Sequence, residues 1–224
     1  MTYAVKEIFY TLQGEGAHVG RPAVFLRFAG CNLWSGLERD REAGPGGCSR
    51  WCDTNFVGTD GTGGGKFRSP EELVAAVSKC WPDGGQADAA GRSRQRPAPF
   101  VVCTGGEPLL QLDEALLAAF NTRGWAVSVE TNGTLEPPVG KLWLTVSPKA
   151  HSVLKVTRGN ELKLVFPQAD AGPERFESLD FEHFFLQPMD GPDAAEHTAR
   201  ALEYCLAHPQ WRLSLQTHKI LRIP

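Results

Sequence analysis

The sequence lacks long apolar runs and has no large excess of charge of either sign. Its 224 residues include 23 Lys and Arg against 26 Asp and Glu, a formal net charge of -3. No apolar stretch approaches the roughly 18 residues of a membrane span, and the opening segment MTYAVKEIFYTLQGEG does not look like a secretory signal. We therefore expect a cytoplasmic protein with no membrane contact. The charge balance also argues against a nucleic-acid partner, although local positive charge could bind a small acidic substrate.

Strand-like segments alternate with helical ones, which predicts an α/β protein with a parallel sheet. The segments that we interpret as strands are AVFLRF, FVVCTGGEP, WAVSVETNG, LWLTVSPK, ELKLVF, HFFLQPMDG and, last, RLSLQTHK. Helices are predicted to begin after Ser69, at 112–120 and at about 193–208. Because there are too few helices for an eight-unit barrel, we expect a partial, open TIM-like barrel of about six parallel strands. Sites in such sheets lie at the carboxyl ends of the strands.

A single domain over 1–224 is expected, with two long loops. The stretch 31–65 is rich in Gly and charged residues, and 83–99 looks like a variable surface loop.

The six cysteines of a cytoplasmic chain are more often ligands, catalytic groups or core residues than disulfides. Cys80, Cys103 and Cys205 fall in predicted helices and a strand, so we interpret them as small buried apolar residues. The other three, Cys31, Cys48 and Cys52, share one long loop after the first predicted parallel strand.

Three thiols on one loop predict a metal site of some kind. Structural zinc sites usually take four protein ligands, and the nearest histidine is His18. A four-iron cluster is usually bound by four cysteines. If only three cysteines bound it, one iron would remain open to another ligand. A zinc-binding module and three unrelated thiols both remain open on spacing alone. The segment Gly105-Gly106-Glu107-Pro108 would allow close backbone approach to a ligand, or would simply form a tight turn.

Many segments, taken in order, resemble the radical S-adenosylmethionine superfamily and, within it, the 7-carboxy-7-deazaguanine synthase family of queuosine biosynthesis. They span almost the whole chain: FYTLQGEG, RFAGCNLWSG, WCDTNFVGTDG, CTGGEPLLQ, ETNGT, VSPK, NELKLV, FFLQPMDGP and HPQWRLSLQTHK. The resemblance implies a [4Fe-4S] cluster on Cys31, Cys48 and Cys52, S-adenosyl-L-methionine on the open iron, and Mg²⁺ on Thr54. It also implies a homodimer and an electron donor such as a flavodoxin or ferredoxin.

The implied reaction is that of a carbon–nitrogen lyase. A 5′-deoxyadenosyl radical takes hydrogen from C6 of 6-carboxy-5,6,7,8-tetrahydropterin, the ring contracts, ammonia leaves and 7-carboxy-7-deazaguanine forms. A radical-generating activase of a glycyl-radical enzyme is the alternative that would share the cluster and the GGEP loop.

The resemblance also implies two sets of contact residues. The cofactor set is Trp51, Cys52, Asp53, Gly106, Glu130, Ser147, Pro148, Lys149, Gln187, Pro188, Met189 and Asp190. The substrate set is Leu12, Gln13, Gly14, Glu15, Arg27, Thr104, His218 and Pro224, the last through a free carboxylate. Arg27 suits the substrate carboxylate because a guanidinium pairs with it through two hydrogen bonds. The amide of Gln13 can donate to and accept from a pterin edge, and Glu15 could pair with the guanidine-like edge or be a solvated loop acid.

One departure from the family pattern concerns the cysteine loop. Members usually have two residues between the last two cysteines, whereas here Ser49, Arg50 and Trp51 make three. The gap from Cys31 to Cys48 is also lengthened by the Gly-rich stretch 43–47. The assignment of Cys48 as the middle ligand therefore rests on its being the one cysteine in this interval.

Overall fold

The computed structural model describes residues 2–43, 47–82 and 97–224, so most of the predicted loop 83–99 lies outside the described residues. A nine-stranded sheet runs through the described residues in the order β3-β1-β2-β4-β5-β6-β7-β8-β9. The strands are β1 (Tyr3–Leu12), β2 (Pro22–Phe28), β3 (Gly65–Phe67), β4 (Phe100–Gly105), β5 (Ala126–Thr131), β6 (Trp143–Val146), β7 (Arg158–Phe166), β8 (Asp180–Pro188) and β9 (Trp211–Leu213).

Strand β2 and strands β4 to β9 are all parallel to one another. Strands β3 and β9 lie at the two edges of the sheet and do not pair with each other, so the sheet does not close. The predicted open partial barrel is therefore confirmed, with seven strands in its parallel part. Strands β1 and β3 add an antiparallel edge that was not predicted. A register shift between Val5 and Glu7 interrupts the pairing of β1 with β2. The shift disturbs the alternation of inward and outward side chains by which a strand is recognised in a sequence.

Four α-helices accompany the sheet in the described residues: α1 (Pro70–Cys80), α2 (Glu114–Thr122), α3 (Ala194–Ala207) and α4 (Thr217–Leu221). The hydroxyl of Ser69 caps α1 by accepting from the Glu72 amide at 3.2 Å, as predicted. The prediction of a strand over RLSLQTHK is wrong after Leu213. The pairing with β8 ends at that residue, and the chain then forms α4. None of the helices of the described residues is both long and apolar enough to cross a bilayer.

Alternation along the parallel strands divides their side chains between two environments. Leu26, Cys103, Val129, Leu162 and Leu186 point to the helix side and form part of one fully buried core. Cys103 thus matches its predicted role, while Cys80 and Cys205 are partly buried against the same core. The neighbouring positions in the same strands point to the other, concave face and carry polar groups: Arg27, Thr104, Glu130, Lys163 and Gln187.

A short segment after β1 closes the amino-terminal end of this concave face. The ring of His18 lies 5.1 Å from Phe100 and 4.4 Å from Trp143, and both of these residues begin strands. The segment 13–18 therefore crosses beneath the concave face and brings Gln13 and Glu15 to its floor.

Candidate active site

A cavity of about 400 Å³ occupies the concave face of the sheet. That volume is in the range of small-molecule sites. The predicted contact residues that line it are Leu12, Gln13, Glu15, Arg27, Cys31, Cys48, Trp51, Cys52, Asp53, Thr54, Thr104, Gly106, Glu130, Ser147, Lys149, Gln187, His218 and Pro224. One cavity thus joins the three cysteines at its rim with the polar segment 13–15 at its floor.

Five predicted contact residues do not line this cavity. Gly14 lies against His218, and its carbonyl accepts from the Thr217 amide at 3.0 Å. The Pro148 carbonyl accepts from Gln168. Pro188 is the last residue of β8, and Met189 and Asp190 follow it; Met189 lines a neighbouring cavity. Cofactor or substrate contact by these five residues remains a prediction.

The rim of the cavity carries the three predicted cluster ligands. Cys48 and Cys52 belong to one tight turn, in which the Cys48 carbonyl accepts from the amides of Trp51 at 3.1 Å and Cys52 at 2.8 Å. Burial raises the pKa of Cys48 to about 11, although the nearby Lys149 ammonium opposes the shift. Burial likewise raises the pKa of Cys31. Both thiols are therefore protonated at neutral pH until a metal displaces the proton.

The Gly-rich loop after β4 approaches the first cysteine closely. A Cβ on Gly106 would lie 2.3 Å from the Gly30 carbonyl oxygen and 2.6 Å from the Cys31 Cβ, so only glycine fits. The next residue, Glu107, is fully buried and accepts from the Thr131 hydroxyl and the Asn132 amide, each at 2.8 Å. Glu107 therefore ties this loop to the end of β5 and fixes the side of the cavity where Gly106 lies.

The floor of the cavity is built around one buried ammonium group. Lys163 on β7 is 4% exposed, and its Nζ donates to a carboxylate oxygen of Glu15 and, at 3.3 Å, to Glu130 Oε2. The buried carboxyl of Glu161 lies on the same concave side and attracts the same ammonium. Burial alone would raise the pKa of Glu15, but the attraction of Lys163 outweighs it and lowers that pKa to about 2.

Amide side chains complete the floor. Gln13 donates to Glu130 at 2.8 Å, while Gln187 and Gln216 donate to the same oxygen of Glu15 at 3.1 and 3.0 Å. Glu15 is therefore a mostly buried carboxylate, and each of its oxygens accepts at least one hydrogen bond from the protein. The alternative of a solvated loop acid is excluded by these contacts.

Arg27 faces the cavity from β2 with part of its hydrogen-bonding capacity already used. Its Nε donates to Glu7 Oε1 at 2.7 Å, and both side chains are mostly buried. Because Glu7 takes the Nε, the terminal nitrogens of the guanidinium are left for a ligand carboxylate.

The segment after β9 closes the open side of the cavity. Lys219 on α4 donates at 2.6 Å to both Asp53, beside the cysteine turn, and Asp190, beyond β8. The Pro224 carbonyl accepts from the Thr11 hydroxyl at 2.9 Å. His218 and Pro224 are thereby placed at the cavity, at the positions predicted for substrate contacts.

Known proteins resemble this chain over its full length. A 7-carboxy-7-deazaguanine synthase of Bordetella pertussis is 60% identical over 225 residues, covering 100% of both chains. That of Caulobacter vibrioides is 58% identical over 224 residues, again covering 100% of both. The chain belongs to the 7-carboxy-7-deazaguanine synthase family. A crystal structure of QueE from Escherichia coli covers 96% of this chain and 94% of that one, with a TM-score of 0.65 and 28% identity. No family model matches the chain.

The sequence analysis predicts an iron–sulfur cluster, and the rim residues fit one. Three thiols open into one cavity, and the Gly106 backbone lies beside Cys31 without a side chain to fill the adjoining space. Across residues 2–43, 47–82 and 97–224, no three His, Cys, Asp or Glu side chains are grouped as a site for a single metal ion. Cys31, Cys48 and Cys52 could hold a cluster with one iron left for a further ligand.

The cavity residues that the sequence analysis missed include three polar residues that hold its floor and its open side: Lys163, Gln216 and Lys219. Lys163 was detectable, because a charged residue at the centre of the apolar strand ELKLVF is expensive unless it is paired. The partner of that charge could not be found, since Glu15 lies 148 residues away in the chain. Gln216 and Lys219 were hidden by the wrong extension of the last strand.

Proposed function

We propose that the chain is a radical S-adenosylmethionine lyase that converts 6-carboxy-5,6,7,8-tetrahydropterin to 7-carboxy-7-deazaguanine, with loss of ammonia, in queuosine biosynthesis. The observation that carries this proposal is the single cavity that joins three cysteines at its rim to Arg27 and Glu15 at its far side. An enzyme that makes a radical at one end of a cavity needs its substrate anchored at the other.

The cofactor end comprises the rim and the neighbouring strand ends. Cys31, Cys48 and Cys52 would hold the cluster, and Gly106 would allow the methionyl end of the cofactor to approach the backbone. Glu130, which accepts hydrogen bonds from Gln13 and Lys163, would accept a further one from a ribose hydroxyl. Cluster and cofactor, when bound, supply a 5′-deoxyadenosyl radical; the protein orients and shields them.

The substrate end comprises three kinds of polar group. Arg27 would bind the substrate carboxylate through the nitrogens that Glu7 leaves free. Glu15 would accept from the guanidine-like edge of the pterin; its Oε2 accepts one protein donor, Lys163, and so retains a lone pair. His218 and Thr104 also line the cavity and would contact the substrate.

The remaining parts of the proposal concern metal and partners. Thr54 lines the cavity beside the cysteine turn and would give Mg²⁺ a hydroxyl ligand, with water and substrate oxygens filling the other positions. A homodimer in the cytoplasm, reduced by a flavodoxin or ferredoxin, is the expected working form.

Anaerobic reconstitution with iron and sulfide, followed by turnover with and without Mg²⁺, tests the proposal. We expect a brown protein that cleaves S-adenosylmethionine and releases ammonia and 7-carboxy-7-deazaguanine in equal amounts, faster with Mg²⁺. A colourless zinc protein would overturn it, as would a cluster-loaded protein that forms no deazapurine.

A further inference from the structure

The long stretch between Cys31 and Cys48 contains a short 3-10 helix, Glu38–Ala43, that no role above explains. Its residue Arg41 turns inward, with 26% of its side chain exposed, whereas the side chain of Arg39 on the same turn is 79% exposed. The segment that precedes the Gly-rich stretch of the cysteine loop therefore supplies one arginine that contacts the protein interior.

The contacts of Arg41 are with the backbone of the cysteine turn. Its Nη1 donates to the carbonyl oxygen of Ser49 at 2.6 Å and to that of Cys52 at 3.3 Å. The amide hydrogen bonds within the turn go to the Cys48 carbonyl and so leave these two carbonyls for Arg41. The Arg41 guanidinium is thus hydrogen-bonded to the turn at two points, at Ser49 beside Cys48 and at Cys52.

Arg41 is itself held in place by two neighbours. Its Nε lies 2.9 Å from each carboxylate oxygen of Glu38. The guanidinium also stacks 4.5 Å from the ring of Trp34, which is buried and packs edge-on against Phe56. A planar guanidinium that is paired on one edge and stacked on its face loses little freedom on making further hydrogen bonds.

We propose that Arg41 is a positioning residue for the iron–sulfur cluster: it holds the Cys48–Cys52 turn so that both thiols face the cavity despite the extra residue between them. This inference rests on the proposed function, because it presumes that the turn holds a cluster. Arg41 acts through the backbone carbonyls and touches no cluster ligand atom.

Three variants of the reconstituted protein test the inference. Arg41→Met removes the contacts with the turn, Arg39→Met removes an equal charge from the same 3-10 helix, and Arg41→Lys keeps a donor that can reach one carbonyl. The measurements are the rate of cluster bleaching by an iron chelator, the electron paramagnetic resonance spectrum of the reduced cluster, and thermal unfolding of the cluster-free protein.

We expect Arg41→Met to lose its cluster about 10-fold faster or more, the usual effect of removing a residue that supports metal ligands. Its resonance spectrum should change, Arg41→Lys should be intermediate, and Arg39→Met should match the wild type. Equal bleaching rates in the two methionine variants would overturn the inference. So would a matching loss of stability in cluster-free Arg41→Met, since Arg41 would then support the whole fold. A wild type that takes up no cluster would overturn the proposed function as well.

Discussion

The rim and the floor of the cavity are organised in different ways. At the floor, Lys163, Glu15 and Glu130 are joined by hydrogen bonds that need no ligand. At the rim, burial raises the pKa of Cys31 and Cys48, so that these thiols are neutral until a metal binds. The floor is thus preorganised by the protein, while the rim would be completed by the proposed cluster.

This difference matches the tasks proposed for the two regions. A floor that holds its charges fixed can orient a polar substrate without reorganising when the substrate arrives. A rim that takes its final form around a cluster depends on neighbouring backbone, such as the Gly106 loop and the Cys48–Cys52 turn, to set the positions of its thiols. Changes at the rim should therefore affect the cofactor and changes at the floor should affect stability.

Removing a rim ligand should have the largest effect on function and little effect on the fold. Cys48→Ala should abolish cluster uptake and turnover, because two thiols cannot replace three, while the cluster-free protein keeps its unfolding temperature. Cys205→Ala on α3 lies outside the cavity and serves as the control. Iron and sulfide content measures the outcome, and a full cluster in Cys48→Ala would show that another group is the middle ligand.

Removing the central charge of the floor should show the opposite pattern. Lys163→Met leaves the mostly buried Glu15 and Glu130 carboxylates without their ammonium partner, and we expect it to lower the free energy of unfolding by about 3–5 kcal/mol. Urea unfolding of the cluster-free protein measures this loss. Exposed Lys155→Met should change the same quantity by less than about 0.5 kcal/mol. Equal stability of the two variants would refute a preorganised floor.

Arg27 offers a finer distinction between the two ends of the cavity. Arg27→Lys removes the two terminal nitrogens of the guanidinium. We therefore expect the KM for the pterin to rise about 10- to 100-fold, which corresponds to the loss of one hydrogen bond to a charged group. The KM for S-adenosylmethionine should stay within about twofold of the wild-type value. This is well below a tenfold change, which corresponds to about 1.4 kcal/mol. Arg158→Lys, at the exposed start of β7, is the control. A similar rise in both KM values would show that Arg27 supports the structure of the cavity and does not bind the substrate.

A further prediction concerns acid stability. Folding lowers the pKa of Glu15 from 4.5 to about 2 through Lys163. The stability that this carboxylate contributes is therefore fully present above pH 4.5 and is lost as the pH falls towards 2. The difference in unfolding free energy between the wild type and Glu15→Gln should shrink over this interval. A constant difference from pH 7 to pH 2 would contradict the ion pair.

The rim was far easier to predict from the sequence than the floor. Cys31, Cys52 and Gly106 lie in short local motifs, so the residues that identify them are also their neighbours in space. The pairing of Glu15 with Lys163 depends on the antiparallel strand β1, which delivers segment 13–18 to the amino end of the sheet. Alternation indicates which residues share a face of one strand, but it does not indicate which distant segment covers that face. Lys219 was missed for a different reason, because the last predicted strand was extended through it and the segment forms α4 instead.

Hydrogen–deuterium exchange of the cluster-free and cluster-loaded protein tests the contrast between rim and floor most directly. We predict that amides of residues 47–54, some of which are already hydrogen-bonded in the turn, gain further protection when the cluster is installed, because the cluster would link the turn to Cys31. Amides of residues 13–16 and 158–166 should be equally protected in both states, since Lys163 and its partners already hold them. Protection of the floor that appears only with the cluster, or rim protection that is the same with and without it, would contradict this account.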